Sequence, residues 1–150
     1  MNIRPATPQD EERIRDLLAD AHLPVLDLDQ NAPDQSRVEF LVAEGADGIV
    51  GAVGLQAFGN VGLLRSLVLA PSIRGAGHGS RLLAALETTA RDRGVGELLL
   101  LTETAAPFFS KHGYVVADRG AAPASIRETA EFRALCPATA TCMSKRLATP

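Results

Sequence analysis

Between Arg74 and Ser80 the chain reads Arg-Gly-Ala-Gly-His-Gly-Ser, three glycines and an arginine set directly after an apolar run and directly before a helix-like repeat. Backbone N–H groups at a helix N-terminus favour anions, and glycine lets the chain approach a phosphate without a Cβ in the way. The chemistry such a corner suits is phosphate binding. It is not a P-loop, because no Gly-Lys-Ser/Thr follows. It also departs from the dinucleotide fingerprint, because Gly75 and Gly77 are followed by Ser80 where the third glycine belongs. A glycine-rich tight turn with no ligand is the other reading of the same residues.

Two charged positions carry further candidate chemistry. Arg65 lies inside an apolar run, where period-2 alternation puts it on one strand face with Leu63 and Leu67. A buried guanidinium needs an anionic partner. A substrate carboxylate would serve, and so would an internal salt bridge to Glu39 or Glu44. Glu103, at the end of a leucine run, is the best candidate base, or else a helix-start acid balancing the dipole. His22 reads as a helix-end cap, His78 falls inside the glycine corner and His112 sits beside Gly113, so none of the three is a well-placed base. Cys136 and Cys142 fit no zinc spacing and read as small buried hydrophobes. No metal site is expected.

The elements that must position these residues follow from periodicity. A short strand near Ile3 precedes Thr7-Pro8-Gln9-Asp10, a helix start with proline at the first helical position, and Ile14, Leu17, Leu18 and Ala21 continue at helical spacing. Residues 23–36 break both periodicities and read as a loop or broken helix that could edge a cleft. Apolar runs over Val38–Ala43, Ile49–Ala57 and Val61–Ala70, separated by Gly45–Gly48 and by Gly59-Asn60, predict antiparallel hairpins. After the glycine corner, Leu82, Leu83, Leu86 and Ala90 form one helical stripe ending before Gly94. Glu97–Thr102 has the continuous pattern of a strand buried on both faces, so residues 61–102 predict a βαβ unit. A short helix over Ala105–His112, a strand over Tyr114–Ala117, a helix opened by a Ser125–Glu128 capping box and running toward Leu135, and a last strand over Thr139–Leu147 complete the reading.

Length and composition fit one ordinary globular domain spanning residues 1–150, with a net charge of −3 that predicts no special partner. The basic pieces, Arg91 to Arg93 and Lys145 to Arg146, are isolated, so nucleic-acid binding is not expected. No apolar run approaches the roughly 20 residues that span a bilayer, and the N-terminal residues lack the apolar core of a signal peptide. The expected compartment is the cytoplasm, with no membrane partner.

The segment Leu67–Gly79 resembles the Arg-x-x-Gly-x-Gly/Ala segment of the Gcn5-related N-acetyltransferases, with Arg74, Gly77 and Gly79 at its defining positions. Residues 106–114, Ala-Pro-Phe-Phe-Ser-Lys-His-Gly-Tyr, are similar to that family's Phe-Tyr-x-x-x-Gly-Phe segment. The resemblance implies an α/β (α+β) fold, a mixed, mostly antiparallel sheet with a splayed parallel pair and flanking helices, and acetyl-CoA as co-substrate. In the family the strand before the loop binds the pantetheine arm and the loop wraps the pyrophosphate. Carried over, Leu67, Val68 and Leu69 hold the arm, and Arg74, Gly75, Ala76, Gly77, His78, Gly79 and Ser80 hold the phosphates. Thr104, Phe108 and Phe109 belong to the same donor site, and Arg65, Ser66, Thr102 and Arg133 to the acceptor. Leu63 stands where some members carry a glutamate base, and Phe109 stands where the tyrosine acid is usual. This leaves Glu103 or a water-mediated proton path, with catalysis mainly by positioning.

Residues 98–114 also resemble the acetyltransferase domain of N-acetylglutamate synthases. The stretch from Ala122 to Leu147 is similar to the arsenic-resistance N-acetyltransferases of ArsN type. These likenesses imply a small acidic amino acid or analogue as the acceptor, arsinothricin first. A housekeeping glutamate-like acetyltransferase, or a non-catalytic acyl-CoA sensor, is the alternative. The family resemblance also makes a homodimer a possible assembly.

Overall fold

The structure is a computed structural model and describes residues 2–21, 38–46, 48–129, 132 and 140–147. Among these residues seven strands form one sheet in the order β1-β2-β3-β4-β5-β7-β6. They are β1 (Asn2–Pro5), β2 (Glu39–Gly45), β3 (Gly48–Phe58), β4 (Val61–Leu69), β5 (Glu97–Thr102), β6 (Val115–Val116) and β7 (Thr141–Arg146). Among the described residues four α-helices accompany them: α1 (Glu11–Asp20), α2 (His78–Asp92), α3 (Ala106–Lys111) and α4 (Ala124–Arg127). All ladders are antiparallel except β4–β5. The predicted hairpins form at the predicted glycines. Gly48 and Gly59 take φ of +118° and +67°, conformations that other residues adopt at a cost.

Alternation along the strands divides the core between two faces. Ile14, Leu17 and Leu18 of α1 pack with Phe40, Val42, Ala52 and Val68. The predicted stripe Leu82, Leu83, Leu86 and Ala90 of α2 packs with Leu41, Ala43, Val53 and Leu55 on the other face. Adjacent β2 residues thus serve opposite helices, as a period of two requires. A third cluster joins Leu63, Leu99 and Cys142 to Ala122 and Ile126 near α4. Each fully buried leucine contributes about 1.5–3 kcal/mol, so the three clusters are the main favourable term.

The start of the first helix is tied down more tightly than its sequence shows. Thr7 caps a 3-10 turn, Pro8–Asp10, that runs into α1. The Thr7 backbone N–H donates to Asp10 Oδ2 over 2.7 Å, and Arg4 donates to the same carboxylate over 2.8 Å and to Glu44 over 3.2 Å. The Arg4 guanidinium first, and the Thr7 bonds with it, lower the Asp10 pKa to about 2 against the opposing effect of burial.

Three expectations need correction. α4 begins at Ala124 with Pro123 as its cap, so Ser125 lies inside the helix and forms no capping box. Pro123, extended at ψ 150°, starts the helix one residue ahead of the serine. The strand expected over Tyr114–Ala117 is only Val115–Val116, because Tyr114 turns into the core at 2% exposure. Leu67 does not share a face with Leu63 and Arg65, for the reason given below. His22, the loop over 23–36, Arg133, Cys136 and the path toward Leu135 lie outside the described residues.

Candidate active site

The two parallel strands separate early. β4 and β5 pair only at Val61–Glu97, Gly62–Leu98 and Leu63–Leu99, whereas β5 continues pairing with β7 as far as Thr102–Thr141. Beyond Leu63, β4 therefore has no ladder with β5, and a wedge opens between them. On its other side β4 stays on β3, but the register slips between Gly54–Arg65 and Ala52–Val68. Ser66 and Leu67 together face Val53, which makes a bulge. Ser66 takes φ +62°, a left-handed conformation found at no other non-glycine among the described residues. The slip turns Leu67 over. It packs with the α2-side core alongside Leu69, while Val68 is buried on the α1 side. Nothing local in the sequence signals this, since Ser66 is not a glycine.

Arg65 sits at the edge of that bulge, 2% exposed, on the Leu63 face as alternation predicted. Its Nε donates to Ser66 Oγ over 3.3 Å and its Nη1 to Gln56 Oε1 over 3.4 Å. The carboxylates considered as its internal partners are engaged elsewhere: Glu39 binds Arg93 at 2.6 Å and Glu44 binds Arg4. Gln56 was missed as a site residue, although one polar side chain within the apolar β3 run was a signal for it.

At the open end of β4 the chain makes a 3-10 turn, Pro71–Ile73, and enters the glycine corner. Arg74 Nε donates back to the Leu69 carbonyl over 3.2 Å. Gly75 and Gly77 take φ of +88° and +83°, and Gly77 is the N-cap of α2, with no side chain capping the first turn. The helix therefore presents its leading N–H groups toward the mouth of the wedge. His78 Nδ1 is buried without a hydrogen-bond partner among the described residues. Ser80 Oγ lies 2.8 Å from His112 Nε2.

The far wall comes from β5 and α3. Thr102 Oγ1 accepts from the Ala105 N–H over 3.0 Å, so this hydroxyl shapes the turn into α3. Glu103 and Thr104 follow it, both exposed. The aromatic pair divides its work. Phe108 faces the first turn of α2, its ring 3.5 Å from where a Gly79 Cβ would stand. Phe109, 4% exposed, enters the core and meets Tyr114 edge-on at 5.5 Å, away from the donor site assigned to it. Tyr114 is the sole tyrosine of the chain. Its hydroxyl donates to Glu87 over 2.9 Å, and Lys145 binds the same carboxylate at 3.1 Å. Burial, and then the Glu87 charge, push this phenol far above its usual range. It is a structural donor, unsuited to protonating a leaving group.

A parallel pair splayed at its carboxyl end, a bulge in the inner strand and a glycine-led helix at the mouth are joined by a match to the family described as "Acetyltransferase (GNAT) domain", over residues 36–116. The chain belongs to the GNAT acetyltransferase family. Among GNAT relatives, it is 34% identical over 87 residues to the "Amino-acid acetyltransferase" of Shewanella oneidensis, covering 57% of this chain and 20% of that protein. It is 36% identical over 89 residues to the "IAA acetyltransferase" of Azospirillum brasilense, covering 55% of this chain and 57% of that one. The chain thus spans well under two thirds of either relative. In fold it is similar to N-acetylglutamate synthase from Neisseria gonorrhoeae, solved with coenzyme A and N-acetyl-glutamate. The TM-score there is 0.81 at 23% identity, over 98% of this chain and 35% of that one. It is also similar to Rv2747 of Mycobacterium tuberculosis, solved with CoA and NLQ, with a TM-score of 0.77 at 24% identity over 99% and 100% of the two chains. No helix among the described residues is long and apolar enough to cross a membrane.

Proposed function

We propose that this chain transfers the acetyl group of acetyl-CoA to the amine of a small amino acid. The observation that carries the reading is the wedge beyond Leu63, with the uncapped glycine start of α2 at its mouth. It matches an extended thioester that is apolar along its arm and anionic at its tail. Coenzyme A in the solved relatives supports the donor. The GNAT match supports acetyl transfer, and the amino-acid acetyltransferase relative supports an amino-acid acceptor.

In this reading Arg74, the glycines and Ser80 receive the diphosphate, and Leu67–Leu69 flank the arm. Phe108 walls the donor beside the first turn of α2, while Phe109 is left to the core. The neutral amine attacks the thioester carbonyl, a C–N bond forms, the C–S bond breaks, and the sulfur leaves as thiolate. The amine's proton passes to Glu103 or to water, and one proton returns to the thiolate. Because both common catalytic positions hold Leu63 and Phe109, holding amine and thioester in line supplies most of the rate. Arg65, with Ser66 and Gln56 beside it, takes the acceptor carboxylate in a two-pronged bond.

The finer reading, acetylation of arsinothricin in arsenic resistance, rests on the tail likeness alone, and neither relative named above is of that type. A glutamate-like amino acid is the better-supported acceptor. The experiment is an amine panel assayed by free CoA, containing glutamate, glutamine, other amino acids and arsinothricin. Release with glutamate but not arsinothricin discards the resistance role. Tight acetyl-CoA binding with no release on any amine overturns the enzyme reading in favour of a sensor.

A further inference from the structure

Ser80 lies in the first turn of α2, inside the loop assigned above to the donor phosphates. Its Oγ is 2.8 Å from His112 Nε2, and Nδ1 of the same ring is 2.8 Å from the Phe108 carbonyl oxygen. A carbonyl oxygen only accepts, so Nδ1 carries a hydrogen. In the neutral ring Nε2 is then a lone pair, and Ser80 must give it the hydroxyl's single hydrogen. The loop is left facing Ser80 lone pairs. In the imidazolium form both ring nitrogens donate, Ser80 accepts from Nε2, and its own hydrogen is free. An ionised phosphate oxygen also only accepts, so it favours the second arrangement over the first.

We infer that His112 is a positioning residue for the donor: it sets the direction of the Ser80 hydroxyl, and diphosphate binding draws one proton onto its ring. This rests on the loop reading above. The contact is held in place by packing, because the Phe108 ring lies tilted against His112 with ring centroids 4.6 Å apart while its edge lies against Gly79. The other titratable or charged groups on the loop and the elements packed here are Arg74, His78, Arg81, Glu87, Arg91 and Asp92 up to the end of α2, Lys111 on α3, and, behind Gly113, Lys145 and Arg146 on β7, with Lys145 and Tyr114 both bound to Glu87. These are present with or without the ligand. The arriving diphosphate is what changes.

Linkage fixes the sign: if CoA binding draws a proton onto the His112 ring, CoA binds more tightly as pH falls, and the wild type gains about threefold more affinity than S80A between about pH 8 and about pH 6. The test titrates CoA into wild type, S80A and H112Q in two buffers of different ionisation enthalpy, from about pH 6 to about pH 8. The ionisation of CoA itself is common to all three and cancels. The three histidines of the wild type are followed by their ring proton shifts in parallel. Expected are a larger proton uptake in wild type than in S80A and H112Q, and His112 ring signals that move further toward the imidazolium form with CoA in wild type than in S80A. The His112 shifts need no histidine variant, so a misfolded H112Q does not spoil the result. CoA binding with equal His112 shifts in wild type and S80A, or with none, overturns this inference alone. No CoA binding by the wild type overturns the loop reading and this inference with it.

Discussion

The two ends of β4 are built from similar residues and behave differently. At its start, Val61–Leu63 is paired on both sides, to β3 and to β5, and Leu63 is wholly buried. At its end, Arg65–Leu69 is paired on one side only, carries a bulge and holds a residue at positive φ. One strand thus closes the sheet at one end and leaves a slot at the other. The lesson is that the site is made by withdrawing pairing, and the closed end must hold the strand while the open end stays strained.

The comparison can be broken by mutation, and the largest effect belongs to the closed end. Leu63→Ala removes a fully buried side chain from the cluster with Leu99 and Ile126 and should cost about 2–5 kcal/mol in chemical denaturation. Gly62→Ala should cost about 1–3 kcal/mol by overpacking, because a Cβ there would meet Leu55, Leu98 and Val95 at 3.1–3.2 Å. At the open end, Arg74→Ala should leave the melting curve unchanged, since Arg74 is exposed, and weaken acetyl-CoA binding about tenfold by calorimetry. Arg65→Lys keeps the charge but loses the fork, so the acceptor KM should rise about tenfold with little change in the donor KM. An unchanged acceptor KM removes Arg65 from the acceptor pocket.

The smallest effect sharpens the contrast from outside both ends. Asp10 takes up a proton near its ordinary 3.8 when unfolded but only near about 2 when folded. Its stabilising contribution is complete above about pH 4 and is lost as pH falls toward about 2. Asp10→Asn should flatten the acid limb of stability between those values, while CoA affinity near neutrality stays as in the wild type.

Much of this was legible in the chain itself because periodicity and glycines report local conformation. Glu97–Thr102 is β5 to the residue, the stripe from Leu82 to Ala90 is the buried face of α2, and Gly48 and Gly59 mark the hairpins. The glycine corner stood out because positive φ at Gly75 and Gly77 needs glycine. What escaped depends on contacts far apart in sequence. The Ser66 bulge is imposed by β3 pairing, so simple alternation misplaced Leu67. The Ser80–His112 bond joins residues brought together only when α3 folds onto α2, and Phe109 could not be told from Phe108 before the core was seen. The Ser125 capping box has the right residues but lies two positions past the true cap of α4, Pro123.

The place of β7 has a consequence for biosynthesis. It lies between β5 and β6, and β5 shares six ladder rows with it against three with β4. A nascent chain that has extruded everything through β6 still lacks the strand to which β6 must pair. Until β7 emerges, β5 is held by three parallel rows and by α2, with its outer edge open to other chains. Within this domain the slot-forming strand β5 therefore completes its pairing only after β7 emerges, and a chain cut short before Thr141 leaves one wall of the slot unsupported.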